Sequence, residues 1–190
     1  DRKIIGVAPF TENLIGTTAL KPSEILTTYS GKTVEITNTD AEGRLILADA
    51  MAYGIDKFKP TQVIDIATLT GAIEIALGNE CSGLFSNNDA IADGLIRAGS
   101  ATFERVWRMP LHEEYRDLLR SDIADIKNHG GRAGGAITAA HFLHDFVGKT
   151  PWAHLDIAGT AYLNDAKRYH PRYGTGVGVR LLLEYLDGVS

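Results

Sequence analysis

Cysteine is nearly absent from this 190-residue chain, and Cys81 by itself excludes an intrachain disulfide, as expected in a reducing compartment. No apolar run reaches the roughly 18 residues that a membrane-spanning helix needs, and no signal-peptide pattern is present. Nor is there a basic excess. Lys and Arg number 19 against 24 Asp and Glu, for a net charge of −5 and a pI near 5.7. That is the wrong sign for a nucleic-acid or anionic-membrane surface. Charge runs, internal repeats and low-complexity linkers are missing as well. What is present is the composition of a globular domain, 44% hydrophobic and 23% charged. A chain of this length can bury about 70% of the surface it exposes unfolded, enough for one core.

Against that background one stretch is chemically specific: Asn38-Thr39-Asp40-Ala41-Glu42-Gly43-Arg44-Leu45. It sets two carboxylates and a guanidinium at i, i+2 and i+4 where a β-like segment meets a helix. Asp40 and Glu42 can aim their oxygens at one point, which suits a hard divalent cation. Arg44 adds a rigid fork of donors for a small anion or a developing oxyanion. The plainer reading makes Asp40 an N-cap and places Glu42 and Arg44 in the first helical turn by ordinary preference. For a bare D-x-E-x-R the plainer reading wins. The full octapeptide reverses the odds, because it resembles, without a mismatch, the signature of the leucyl aminopeptidase family, the cytosolic M17 metallopeptidases.

The resemblance runs over nearly the whole chain. Ile5-Gly6-Val7-Ala8-Pro9, Glu12-Asn13 and Lys21-Pro22 resemble the strand and loop ahead of the signature. Ala67-Thr68-Leu69-Thr70-Gly71-Ala72, Arg105 to Leu111, Gly131-Arg132-Ala133-Gly134-Gly135-Ala136 and Trp152 to Thr160 resemble later blocks, in the family's order. Family members also carry, upstream of these blocks, a lysine and an aspartate of the metal site, a catalytic lysine and a further aspartate ligand. None of the four has a counterpart here. With Asp1 and not a methionine at its start, the sequence reads as the C-terminal portion, residues 1–190, of such a catalytic domain. The upstream portion and an N-terminal domain are expected to be absent.

The resemblance implies metal-assisted hydrolysis that releases N-terminal, leucine-like residues from peptides. It implies two divalent ions, zinc or manganese and also magnesium by donor type, with Glu42 bridging both and Asp40 binding one. Arg44 is the implied catalytic residue, holding a bicarbonate as proton shuttle. Thr68 and Leu69 are implied to contact the peptide through the main chain, and Gly71 to wall the pocket for its first side chain. A homohexamer in the cytoplasm is implied, without nucleic acid or membrane as partner. Lacking part of the metal site, this chain alone is expected to be nearly inactive, and its cut sheet to expose an edge and an apolar face.

Apolar β-branched runs alternate with helical patterns, which predicts an α/β fold: a mixed, largely parallel sheet flanked by helices, an α/β/α sandwich incomplete at its N-terminal end. Expected strands are Lys3 to Ala8, Thr33 to Thr37, Gln62 to Ala67, Ser82 to Phe85, Ile123 to Ile126 and Ala153 to Ile157. Expected helices are Glu42 to Phe58, Ala90 to Phe103, His112 to Arg120, one ending near Val147, and Val177 to Leu186. The signature and the Thr68-Leu69-Thr70-Gly71 turn both fall at strand carboxyl ends, where open α/β sheets bind ligands.

Other candidates are weaker. Gly31-Lys32-Thr33 and Gly148-Lys149-Thr150 lack the leading glycine of a phosphate loop and read as turns. Gly174-Thr175-Gly176-Val177-Gly178 precedes a helix, without dinucleotide-site spacing. His141 and His144 lack the glutamate of a zincin and read as core packing and a partly exposed face. His154 and Asp156 share a strand face and suggest a hydrogen-bonded pair of structural role. No G-x-S-x-G elbow supports a serine hydrolase. Two rival functions remain: a non-catalytic assembly fragment or family member, and a nucleotide-handling domain, the latter disfavoured by the incomplete phosphate loops.

Overall fold

The computed structural model describes residues 3–11, 16–17, 19–167 and 169–188. Its centre is a four-stranded sheet in the order β3-β7-β4-β5: Val63–Ala67, Trp152–Asp156, Ser82–Ser86 and Val106–Arg108. β3 runs parallel to β7 and β4 parallel to β5, while β4 meets β7 antiparallel. A second sheet joins the hairpin β1 (Ile25–Thr27) and β2 (Thr33–Glu35) to β6 (Ile126–Lys127), which lies parallel to β2. A short antiparallel pair, β8 (Tyr162–Leu163) and β9 (Tyr173–Gly174), completes the strands among the described residues.

Alternation along the central strands sorts side chains to the two faces. Leu84, Ala153 and Leu155 point to one face, with Ile64 and Ile66, and bury against α3 (Asp89–Thr102) and α5 (Val179–Gly188). Phe85 and Trp152 point to the other and bury against α1 (Gly43–Phe58), α2 (Gly71–Leu77) and α4 (Gly135–His144). β4 and β7 are buried at every position, as central strands covered on both faces must be. The result is the expected α/β/α sandwich, with mixed pairing.

Local sequence explains the helix starts. Asn88 accepts from the Ile91 amide at 3.1 Å to cap α3, and Asp89 follows in the first turn. Thr70 caps α2 by accepting from the Ile73 amide at 3.2 Å. α4 begins at Gly134, whose φ of 62° is cheap only without a Cβ.

Three expectations change. Lys3 to Ala8 is no strand: the segment is exposed, with Ile4 68% accessible, and Val7 rests against α1 at Gly54. A β-branched run becomes a strand only when it pairs with a neighbour, and none of the described strands pairs with this one. Of Ile123 to Ile126 only Ile126 enters a strand, because Ser121 Oγ accepts the Ile123 and Ala124 amides and holds them in a turn. His112 to Arg120 forms a 3-10 helix over Glu113–Leu119. Glu12 and Asn13 lie outside the described residues.

Candidate functional site

The octapeptide lies between the end of β2 and the first turn of α1, and the loop is held by a residue far away in sequence. Asn128 directly follows β6, and its amide donates to the Glu35 carbonyl, extending the β2–β6 ladder. Its side-chain oxygen accepts from the amides of Thr37 at 2.9 Å and Asn38 at 3.3 Å. Its side-chain nitrogen donates to the carbonyls of Asn38 at 2.7 Å and Ala41 at 3.4 Å. The Asp40 amide in turn donates to Asn38 Oδ1 at 2.9 Å, a local turn that these residue types favour. Asn128 is fully buried, so its side-chain amide makes these bonds from inside the protein to a partly exposed loop.

The two carboxylates are left uncommitted. Glu42 occupies the position just before α1, in helical conformation, and its side chain makes no capping bond. Asp40 is exposed and Glu42 half-buried, and among the described residues neither carboxylate takes part in a hydrogen bond or ion pair. Asp40 is therefore no side-chain cap.

Arg44 is the reverse case, only 6% accessible. Its Nη1 donates to the Asn128 carbonyl at 2.9 Å, while Nε is buried without a partner among the described residues. Burial lowers its pKa to about 10, against the opposing pull of Asp156 and Glu42. It stays a cation at neutral pH. An unfilled donor on a buried guanidinium is a place for an anionic acceptor.

Asp156, the last residue of β7, builds the other wall. Its Oδ1 accepts from the amides of Leu69 at 3.0 Å, Thr70 at 3.4 Å and Ala158 at 3.3 Å, and its Oδ2 from the Thr70 hydroxyl at 2.6 Å. This carboxylate sets the conformation of the Thr68 to Gly71 turn. It also commits the Leu69 amide, so any main-chain contact through Leu69 falls to its carbonyl. Thr68 and Gly71 are exposed, and no atom lies within 4 Å of a Cβ built on Gly71. Leu69 Cδ1 sits 3.7 Å from the Cβ position of Gly43, which joins the turn to the signature.

The structure thus brings Asp40, Glu42, Arg44, Thr68, Leu69 and Gly71 to one end of the sheet. Asn128, Asp156 and His129 join them without having been singled out as site residues by sequence. His129, next to Asn128, has its pKa lowered by partial burial and by the charges of Arg44 and Lys127. Its Nδ1 accepts from the Gly131 amide at 3.3 Å, as a neutral ring can. The suggested His154–Asp156 pair does not form. His154 Nδ1 lies 2.5 Å from Asp65 Oδ1 instead, because Asp65 stands directly opposite it in the β3–β7 register.

The donor chemistry of Asp40 and Glu42 fits a hard divalent ion, but the set is partial. Among the described residues no group of three His, Cys, Asp or Glu side chains could hold a metal. A complete shell needs donors beyond these two.

Comparison with known proteins gives a consistent picture. The profile described as "Cytosol aminopeptidase family, catalytic domain" matches residues 1–183. A probable cytosol aminopeptidase of Protochlamydia amoebophila is 57% identical over 188 residues, covering 98% of this chain and 38% of the relative. One from Geotalea uraniireducens is 54% identical over 189 residues, again 38% of its length. A solved mutant of tomato leucine aminopeptidase superposes with a TM-score of 0.86 at 43% identity, covering 92% of this chain and 34% of that one. The chain therefore spans somewhat over a third of the length of these relatives.

Proposed function

For a chain that belongs to the cytosol aminopeptidase family, and lies within its catalytic domain, we propose that the intact protein is a metal-dependent aminopeptidase removing leucine-like residues from the N-termini of peptides. One observation carries this reading: two uncommitted carboxylates stand two and four residues ahead of a buried guanidinium with an unfilled donor, at the sheet end that also presents the Thr68–Gly71 turn.

In this reading Asp40 and Glu42 would hold part of a dinuclear site for zinc, manganese or magnesium, completed by residues of the intact protein. When bound, such ions acidify a water and polarise the scissile carbonyl. Arg44 would hold a bicarbonate, an anion that can accept and return a proton. Burial strengthens this grip, since the guanidinium competes with little water. Thr68 and Leu69 orient the peptide through main-chain carbonyls, and Gly71 leaves room for its first side chain. A homohexamer in the cytoplasm is the accompanying proposal. Among the described residues no helix is long and apolar enough to cross a membrane.

The test is hydrolysis of leucine anilide by the intact protein and by the 190-residue chain alone, with metal content measured on both. Stoichiometric metal and metal-dependent turnover are expected of the intact protein, and next to none of the chain alone. Equal turnover by the two would sink the idea that this chain holds only part of the site. The rival role in assembly draws on Ile4 and Phe10, 68% and 94% accessible. An intact protein that assembles by light scattering yet turns over no peptide with any of the three metals would favour it.

A further inference from the structure

The face of the central sheet that looks toward α1, α2 and α4 buries a second polar arrangement behind the turn. Asp65 in β3 and His154 in β7 are cross-strand neighbours. Asp65 Oδ1 lies 2.5 Å from His154 Nδ1, and its other oxygen accepts from the Trp152 indole at 2.6 Å. The imidazole is fully buried and stacked between the rings of Trp152, at 6.4 Å and 7°, and Phe85, at 6.0 Å and 24°. Its Nε2 meets no hydrogen-bond partner among the described residues, so its polar contact is all on the Asp65 side.

The charged groups that act on this ring are few. Asp65 faces it from β3 and Asp156 from two residues along β7, while Arg44 contributes a positive charge from α1 and β4 presents only Phe85. With Arg44 positive and both aspartates negative, a neutral imidazole leaves this buried set with one uncompensated negative charge. An imidazolium balances it. Uncompensated charge is what a low-dielectric interior tolerates least. Burial alone would push the ring's pKa down, and the two carboxylates outweigh it, so the net direction is up.

Asp156 connects this pair to function, because it accepts the Leu69 and Thr70 amides. We propose that His154 is a positioning residue for the substrate turn: held as an imidazolium by Asp65, it balances the charge of Asp156, which in turn fixes the Leu69 and Thr70 backbone that meets the peptide. Its functional consequence rests on the aminopeptidase reading, but the charge state and the coupling to the turn do not. A polar pair that merely packs between strands would leave the turn indifferent to the ring's proton.

The experiment uses the intact, metal-loaded protein with nitrogen-15 in its histidines, the His154 signals being those lost in His154→Gln. At neutral pH both ring nitrogens of His154 are expected to be protonated, with titration above the ordinary value of about 6.5. Asp65→Asn should bring it below. Hydrogen exchange read by mass spectrometry should then show the segment holding Leu69 and Thr70 exchanging about ten-fold faster in both variants, with α4 still protected. In a turnover assay KM should rise more than kcat falls. A singly protonated His154 at neutral pH overturns the proposal, as does unchanged exchange of the turn in folded variants. If His154→Gln fails to fold, the exchange of the turn in Asp65→Asn, which keeps the shape of the side chain, decides alone. Should the wild-type protein hydrolyse no peptide, the aminopeptidase reading fails, while the nitrogen spectrum and the exchange data still judge this one.

Discussion

At one end of the sheet the site contains two kinds of charged side chain. Arg44 is buried beside Asn128 and within the field of Asp156, and Asp156 is buried with four donors around it. Asp40 and Glu42, from the same octapeptide, face solvent wholly or in part and hold nothing among the described residues. The difference follows from what each group must meet. A buried carboxylate without partners costs several kcal/mol, so one kept free for a ligand has to stay hydrated until the ligand comes. A carboxylate that shapes the backbone can be buried, because the backbone itself supplies the donors. The wired half is preorganised; the bare half is ready.

If that division is right, mutations in the wired half should cost stability and those in the bare half should not. The largest effect is expected at Asn128. Asn128→Ala strands the Thr37 and Asn38 amides and the Asn38 carbonyl on the part-buried inner side of the loop. A loss of about 3 kcal/mol should appear in urea unfolding of the intact, metal-free protein. A loss under about 1 kcal/mol would mean that water replaces the staple, and that the loop is not wired at all. Asp156→Asn comes next. It keeps an acceptor but loses the charge, for about 2 kcal/mol, and a higher KM for peptide should accompany it. Thr70→Val removes both the cap of α2 and the hydroxyl donor to Asp156. About 1 to 2 kcal/mol is expected, with α2 amides exchanging faster.

Stability should also depend on pH through His154. Its folded pKa is raised, so its contribution is complete below the unfolded value of about 6.5 and fades as pH climbs through the folded value. Asp65→Asn should flatten unfolding free energy against pH on the alkaline side, and a profile unchanged by that substitution would contradict the charge balance.

These expectations rest on groups that were unevenly legible in the sequence. β3, β4, β7, α1, α3 and α5 appear within about two residues of where apolar spacing puts them, because each carries its own periodic signal. α2 escaped notice, since Gly71-Ala72-Ile73-Glu74-Ile75-Ala76-Leu77 is only two turns long and starts from a glycine. The first expected strand does not form, because a β-branched run announces its preference and not the presence of a neighbour. In the site, Asp40, Glu42 and Arg44 are visible as a contiguous pattern, and Thr68, Leu69 and Gly71 as a strand-end turn. Asn128 is not, as it acts on a loop some 90 residues away. Strand alternation marks Asp156 but pairs it with His154, which the structure pairs with Asp65. Two residues on one strand face are about 7 Å apart, whereas the residue across the ladder is nearer. Register decides such pairs, and register is not written locally.

The smallest expected effect is also the sharpest test of the comparison. Asp40→Asn removes a charge that holds no protein group, and Glu42→Gln one that only acts at a distance on the Arg44 guanidinium, so in the metal-free protein the first should move the unfolding free energy by no more than about 0.5 kcal/mol and the second by no more than about 1 kcal/mol. The metal-loaded protein should behave differently. A ligand that binds only the folded state stabilises it in proportion to the logarithm of its concentration over its dissociation constant, so the melting temperature of the wild type should climb as zinc or manganese is added. Both variants should lose most of that climb, Glu42→Gln the more if it reaches two ions. Substitutions that cost stability without metal would show that the carboxylates belong to the wired half after all. Substitutions neutral with and without metal would move the ion elsewhere, leaving Asp40 and Glu42 as a solvated helix start.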